Sequence, residues 1–219
     1  GAAAVAKFTA FVSARQRQLL AAIVDYALGR RHMKTTVASD DGATERLRLE
    51  TILWGGDELL FALPVWAAWD IALIVMRELE GWVLPPEDFP GLGDADRRLT
   101  HGVGLVFANH KTPIRQMRNL VDELVYASKA AGKTRNNLSA FAFESVDLRL
   151  GGLTAARNAL FFGDAAAGAI DLTISADGAG FAEATRRLEA LRAVLPRSQA
   201  MKRALAARAG PGGLLEANR

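Results

Sequence analysis

Two apolar runs separated by a pair of glycines constrain this chain more than any other stretch. Leu47, Leu49, Thr51 and Leu53 alternate with Arg46, Arg48, Glu50 and Ile52, the period-two pattern of a strand. Leu59, Leu60, Phe61, Ala62 and Leu63 form a second short run, closed by Pro64. Gly55 and Gly56 stand between them, followed at once by Asp57 and Glu58. A Gly-Gly pair tolerates the positive φ that a tight turn demands, so the stretch is expected to fold as a hairpin. Successive strand residues point to opposite faces, which would send one acid towards a site and hold the other near the turn.

A turn without side chains leaves room for a large, charged ligand to approach the backbone. A nucleoside triphosphate with a divalent metal fits that description; a surface hairpin with solvated acids is the plain alternative. The remaining composition permits either. The chain has 219 residues, of which 50% are hydrophobic, enough for one good-sized domain with or without a small appendage. The longest apolar candidate, Ile71 to Met76, is interrupted by Asp70 and Arg77 and falls far short of the ~18 residues that span a bilayer, so no membrane partner is expected. Cysteine is absent, which excludes disulfides, thiolate metal sites and cysteine nucleophiles and agrees with a cytoplasmic location. A formal charge of +3 permits a polyanionic ligand without demanding one. The segment after Gly1 turns polar by Ser13, unlike a signal peptide, and with no initial methionine the chain is expected to be part of a longer protein.

Periodicity predicts a helix over 7–28, with Phe8, Phe11, Val12, Leu19, Leu20, Ile23, Val24 and Ala27 on one stripe, Gln16 facing away and Gly29 as the stop. Residues 30–43 read as a polar loop ending in Ser39-Asp40-Asp41-Gly42. A second helix over 65–81 is expected to bury Trp66, Trp69, Leu73, Met76 and Leu79; its tryptophans either stack a base or belong to the core. A loop follows at 82–98, then a strand over 99–108. Gly102 and Gly104 are costly inside that strand unless something approaches them closely. His110-Lys111-Thr112-Pro113 opens a third helix, with Thr112 as the cap and Pro113 in the first turn. Residues 132–137 form a basic, polar turn before a strand at 138–143. Beyond an alanine-rich stretch come a strand candidate at 170–175 and helices at about 180–194 and 198–209. With one strand restored in front of residue 1, the order is βαββαβαβ, an α+β sandwich of helices on an antiparallel sheet.

These motifs fall in a familiar order. Gly55-Gly56-Asp57-Glu58 resembles the Gly-Gly-Asp-Asp or Gly-Gly-Asp/Glu-Glu turn of palm nucleotidyl cyclases. The strand at 99–108 with His110-Lys111-Thr112-Pro113-Ile114 resembles the strand and His-x-Lys-x-Pro segment of the large Cas ten (Csm/Cmr-type) subunit of type III CRISPR effector complexes, slightly compressed. Val121 to Lys129, with Lys133 and Asn136, resembles that family's helix end. Leu195 to Gln199 is similar to part of the helical domain that follows its palm. The likeness covers 7–145 well and 170–208 loosely. Diguanylate cyclases are also similar, through Glu58 and the Lys…Gly…Asn helix end, whereas Leu59 and the His110-Lys111-x-Pro113 loop point to the CRISPR type.

The resemblance implies a ferredoxin-like or RRM-like palm over 1–150, its first strand lying upstream, and a small mostly helical domain over 151–209; the residues from Gly210-Pro211-Gly212-Gly213 onward read as a frayed tail over 210–219. It implies that ATP is joined into cyclic oligoadenylates in antiviral defence, alongside other effector subunits carrying guide and target RNA. GTP conversion to cyclic di-GMP, or a degenerate palm serving as scaffold or nucleotide sensor, are the alternatives. Asp57 and Glu58 would be the catalytic residues and ligands of a two-metal Mg²⁺ or Mn²⁺ site, with the ions about 3.5–4 Å apart. Gly55 and Gly56 would admit the nucleotide, Lys129 would meet its triphosphate with Lys133 and Arg135 nearby, and His110 and Lys111 would lie at the rim. Read without the resemblance, Lys129, Lys133 and Arg135 are equally an ordinary basic helix end, and His110 is a solvated loop residue. Palm cyclases take a further metal-binding Asp from the first strand, and none precedes Lys7.

Overall fold

Small side chains decide how the first two helices meet. The computed structural model describes residues 1–55, 58–130, 132–142, 173–174, 183, 185–186 and 189–190. Within it, α1 spans Ala2–Leu28 and α2 spans Val65–Glu80. Ala67 and Ile71 of α2 share one buried cluster with Leu19, Ile23 and Ala27 of α1 and with Met33. An alanine at the contact lets two helix axes come close, so the stripe through Ala67 and Ala68 is buried while Trp66, a turn of about 100° away, is 56% exposed. The expected tryptophan-led face is corrected accordingly: Ala67, Ala68, Ile71, Ala72, Met76 and Leu79 are buried. Gln16 likewise is buried rather than facing solvent, because it stands on the helical stripe of Leu19, Ile23 and Ala27. The first ten residues are exposed throughout, Phe8 included, although the helix itself begins earlier than expected.

Tyr26 and Asp70 add a polar tie between these helices. The phenol donates to the Asp70 carboxylate at 2.6 Å, and the Arg30 guanidinium lies 4.9 Å from the centre of the Tyr26 ring.

A single 3-10 turn, Arg31–Met33, leads into a hairpin of β1, Lys34–Ser39, and β2, Gly42–Leu47. Ser39 pairs with Gly42, so Asp40 and Asp41 make the connection, and Gly42 takes a φ of 117° that only glycine adopts at ease. The polar loop expected over 30–43 is thus a strand and turn: Thr35, Thr36 and Val37 are β-branched and suit a pleated backbone despite their polar surroundings. The single strand expected through residue 53 is divided. Arg48 donates its backbone N–H to the Met33 carbonyl at 2.7 Å, and β3, Glu50–Gly55, begins beyond it to pair with β4, Glu58–Ala62. Leu47, Leu49, Leu59, Phe61 and Leu63 pack on the helical cluster.

The region read as a loop at 82–98 is ordered by its ends. Leu84 donates to the Arg97 carbonyl and Leu99 to that of Trp82, with a short helix α3, Asp94–Arg97, between them and both Trp82 and Leu84 buried. β5, Gly102–Phe107, α4, Ile114–Ala130, and β6, Asn137–Ala142, follow, then β7, Thr173–Ile174. β7 falls inside the strand expected at 170–175 and pairs antiparallel with β6, Leu138 facing Ile174.

Among the described residues the strands form three small sheets, β1-β2, β3-β4 and β5-β6-β7. The pairs in the first two are antiparallel, as is β6-β7, whereas β5 and β6 are parallel with α4 as the crossover. The class is therefore mixed, with helices beside small sheets, in keeping with α+β. Two compact units result, one of Gly1–His101 with Gly132–Asn137, the other of Gly102–Ala131 with the described residues from Leu138 onward. Residues 183, 185–186 and 189–190 are helical, within the helix expected at 180–194. The expected boundary at residue 150, the alanine-rich stretch, the helix at 198–209 and the tail at 210–219 lie outside the described residues. No described helix is long and apolar enough to cross a membrane.

Burial first, then the Asp70 acceptor and its charge, raise the Tyr26 pKa above its ordinary value, with Arg30 opposing. The folded chain therefore holds this proton more tightly than the unfolded chain does. The associated stability is present below pH ~10 and is lost as pH rises through the folded-state value. Tyr26→Phe is expected to cost about 1 kcal/mol in urea unfolding at neutral pH. The gap between the two proteins should narrow in alkaline solution.

Candidate functional site

Register determines what the tip of the β3–β4 hairpin presents. Gly55 pairs with Glu58, Trp54 with Leu59 and Leu53 with Leu60, and the register shifts between Thr51 and Leu53. Ile52 is the extra residue of that bulge and is 40% exposed. Beyond it, Trp54 shares a face with Leu59 and Phe61, and the Trp54 and Phe61 rings meet edge to face at 6.1 Å. Leu59 and Phe61 face the core, so Glu58 projects from the opposite face and is exposed. Among the described residues Glu58 has no ion-pair partner. Gly55 does not take a positive φ; it closes β3, and a Cβ there would meet nothing within 4 Å. The glycine expected to turn the chain instead leaves open space beside the strand end. Gly56 and Asp57 lie outside the described residues.

The second group of expected residues is organised by β5 and α4. A Cβ on Gly102 would lie 2.8 Å from Lys129 Cγ and 2.8 Å from the Val125 carbonyl oxygen. On Gly104 it would lie 2.7 Å from the Val121 carbonyl oxygen and 3.1 Å from Val125 Cγ2. Something does approach these glycines closely, as their place in a strand implied, and it is the chain's own helix. The aliphatic stem of Lys129 rests on Gly102 while the residue as a whole is exposed. Ser128, one residue earlier, is buried; its hydroxyl donates to the Val103 carbonyl at 3.0 Å and lies 2.8 Å from Ser139 Oγ. Helix, β5 and β6 are so joined by a polar contact that an apolar stripe does not announce.

Asn109 shapes the loop before α4. Its side-chain oxygen accepts from Lys111 N at 3.0 Å and its carbonyl from Thr112 N at 2.9 Å, which leaves His110 and Lys111 exposed. The Pro113 carbonyl accepts the first helical bonds from Gln116 and Met117, so Pro113 itself stands at the cap. Thr112, expected as the cap, is buried and its hydroxyl has no partner among the described residues.

The basic turn at 132–137 belongs to the first unit. Asn136 is 1% exposed; its Oδ1 accepts from His101 N at 2.9 Å and its Nδ2 donates to Glu80 Oε1 at 3.3 Å. Glu80 also accepts from Arg98 at 2.9 Å, and the His101 and Trp82 rings meet edge to face at 4.6 Å. Lys133 and Arg135 remain exposed and, among the described residues, unpaired.

The expected site residues thus divide. Gly55, Glu58, Lys133 and Arg135 belong to the first unit, and His110, Lys111 and Lys129 to the second. Among the described residues no three His, Asp or Glu side chains gather as a metal cage. Glu58 offers one exposed, hard oxygen donor, which fits a single ligand position of Mg²⁺, an ion that takes one or two carboxylates and keeps several waters. Residues that the sequence reading passed over, Ser128, Asn109, Asn137 and Glu80, are all polar; Asn and Asp types before a turn carried the only local signal.

No family model matches the chain, and neither the curated proteins nor the solved structures contain a match.

The close approach of α4 generates a clear stability expectation. Gly104→Ala sets a methyl against a backbone oxygen that cannot rotate away, at a cost of about 2–3 kcal/mol in urea unfolding. Gly55→Ala, with open space and no positive φ, should stay within about 0.5 kcal/mol of the parent protein.

Proposed function

We propose that this chain is the palm of a metal-dependent nucleotidyltransferase that joins ATP into cyclic oligoadenylates, working with other effector subunits that carry guide and target RNA. The observation that carries this reading is the tip of the β3–β4 hairpin. Gly55 leaves room beside the backbone, and Glu58, without an ion-pair partner among the described residues, projects from the face away from the core. An acid that is neither buried nor ion-paired is free to meet a cation, and space at a strand end accommodates a bulky polyphosphate.

In the proposed reaction a ribose 3′-hydroxyl attacks the α-phosphorus of a second ATP. The new O3′–P bond forms as the bond to pyrophosphate breaks, and the hydroxyl proton passes to solvent. Mg²⁺ or Mn²⁺, when bound, supplies neutralising charge at the phosphates. Asp57 and Glu58 are the residues proposed to hold it. The demands on the rest of the protein are positioning and electrostatic, since negative charge is spread over phosphate oxygens in the transition state. Lys133 and Arg135, which belong to the same unit as Glu58, are proposed to supply cationic charge for that purpose.

The test is incubation of the protein with each of the four nucleoside triphosphates and Mg²⁺ or Mn²⁺, products being identified by mass spectrometry. Linear or cyclic oligoadenylates are expected from ATP, reduced about 100-fold or more in Asp57→Ala. Cyclic di-GMP from GTP would transfer the assignment to a diguanylate cyclase. Metal-dependent nucleotide binding with no product, with and without a guide–target RNA complex, would leave a degenerate palm acting as scaffold or sensor.

A further inference from the structure

The turn that carries Lys133 is tied down through its backbone, while its side chain is exposed and, among the described residues, unpaired. Thr100 Oγ1 donates to the Lys133 carbonyl at 3.0 Å. Asn137 Nδ2 donates to the Gly132 carbonyl at 2.8 Å, and Asn137 N to the His101 carbonyl at 3.0 Å. Gly132 takes a φ of 150°, a value that favours glycine, and Asn136 is anchored to His101 and Glu80 as described above. Every one of these partners lies within the first unit. The peptide on either side of Lys133 is therefore held, and with it the direction in which the side chain leaves the chain.

A lysine is a compact charge on a flexible stem, and ordering that stem opposes binding. Where its backbone already has one position, less freedom is lost when the ammonium meets an anion. We infer that Thr100 is a positioning residue, whose hydroxyl holds the Lys133 peptide so that this ammonium is presented to the phosphates of a nucleoside triphosphate. The inference rests on the nucleotidyltransferase reading and assigns a function to a residue outside the motifs that suggested it. Thr100 does not touch the ligand; it acts through Lys133.

A double-mutant cycle on the full chain, with Mg–ATP binding followed by calorimetry, separates this from a purely structural role. Thr100→Val keeps the shape and removes the hydroxyl, Thr100→Ser keeps the hydroxyl, and Lys133→Ala removes the charge. All are measured well below their unfolding transitions. Lys133→Ala should weaken binding about tenfold and Thr100→Val about three- to fivefold, with Thr100→Ser close to the parent protein. In the Lys133→Ala background, Thr100→Val should have no further effect. Equal weakening in both backgrounds, no weakening in either, or a parent protein that binds no Mg–ATP overturns the inference. Product formation on the same samples keeps the two readings apart. Coupling without product overturns nucleotidyl transfer alone, whereas product with an additive cycle overturns only the role of Thr100.

Discussion

The first unit depends on one buried amide. The side chain of Asn136 is shut away from water and finds its partners on the His101 backbone and on Glu80, at the end of α2. A buried amide left unpaired is costly, so segments far apart in sequence are obliged to converge there. Glu80 in turn holds Arg98, and His101 holds Trp82 through its ring. The chain passes from one unit to the other after His101 and again after Asn137, and returns at Gly132. All three residues take part in backbone or side-chain hydrogen bonds of the same turn.

The second unit rests on absence of bulk. Gly102 and Gly104 bring the backbone of β5 against that of α4 at distances no other residue permits. Val125 and Leu124 lie against Gly104 in that seam, and beside them the Ser128 hydroxyl joins Val103 and Ser139. Close packing and hydrogen bonding are here one device. The same contact lays the stem of Lys129 along the strand and leaves its charge in solvent. A cation at this position is thus a product of how the helix packs, whatever anion it meets.

Much of this architecture was legible because its signals are local. Pro64 and Gly81 bracket α2, alternation marks β3 to β6, and two glycines inside a strand announced a close neighbour. What escaped were features whose cause lies elsewhere in the chain. Gln16 reads as facing away, Asn136 and Asn137 as part of a polar turn, and Ser128 carries no signal, yet each is buried. Trp66 reads as core and yields to Ala67, because the helix contact selects size before hydrophobicity. The β1–β2 hairpin hid in a polar stretch whose only strand signal is β-branching. At the candidate site, the carboxylate beside the turn and the exposed basic residues were legible. Their division between units was not, since Lys133 and Arg135 join the first unit through the contacts of their neighbours and not through adjacency in sequence.

The bulge at Ile52 gives the hairpin an uneven ancestry of length. One strand carries a residue that its partner does not answer. Loss of that single codon would restore regular pairing with Trp54 still opposite Leu59 and on the face of Phe61, because Ile52 is the residue without a partner across the ladder. A residue lost at the middle of β3 is therefore absorbed by the bulge before it reaches the tip, and substitutions of Ile52 itself, exposed and unopposed, leave the parity intact. In a lineage of such chains, the length of β3 would be freer to shrink by one residue at this place than that of β4, where every residue from Glu58 to Ala62 is paired.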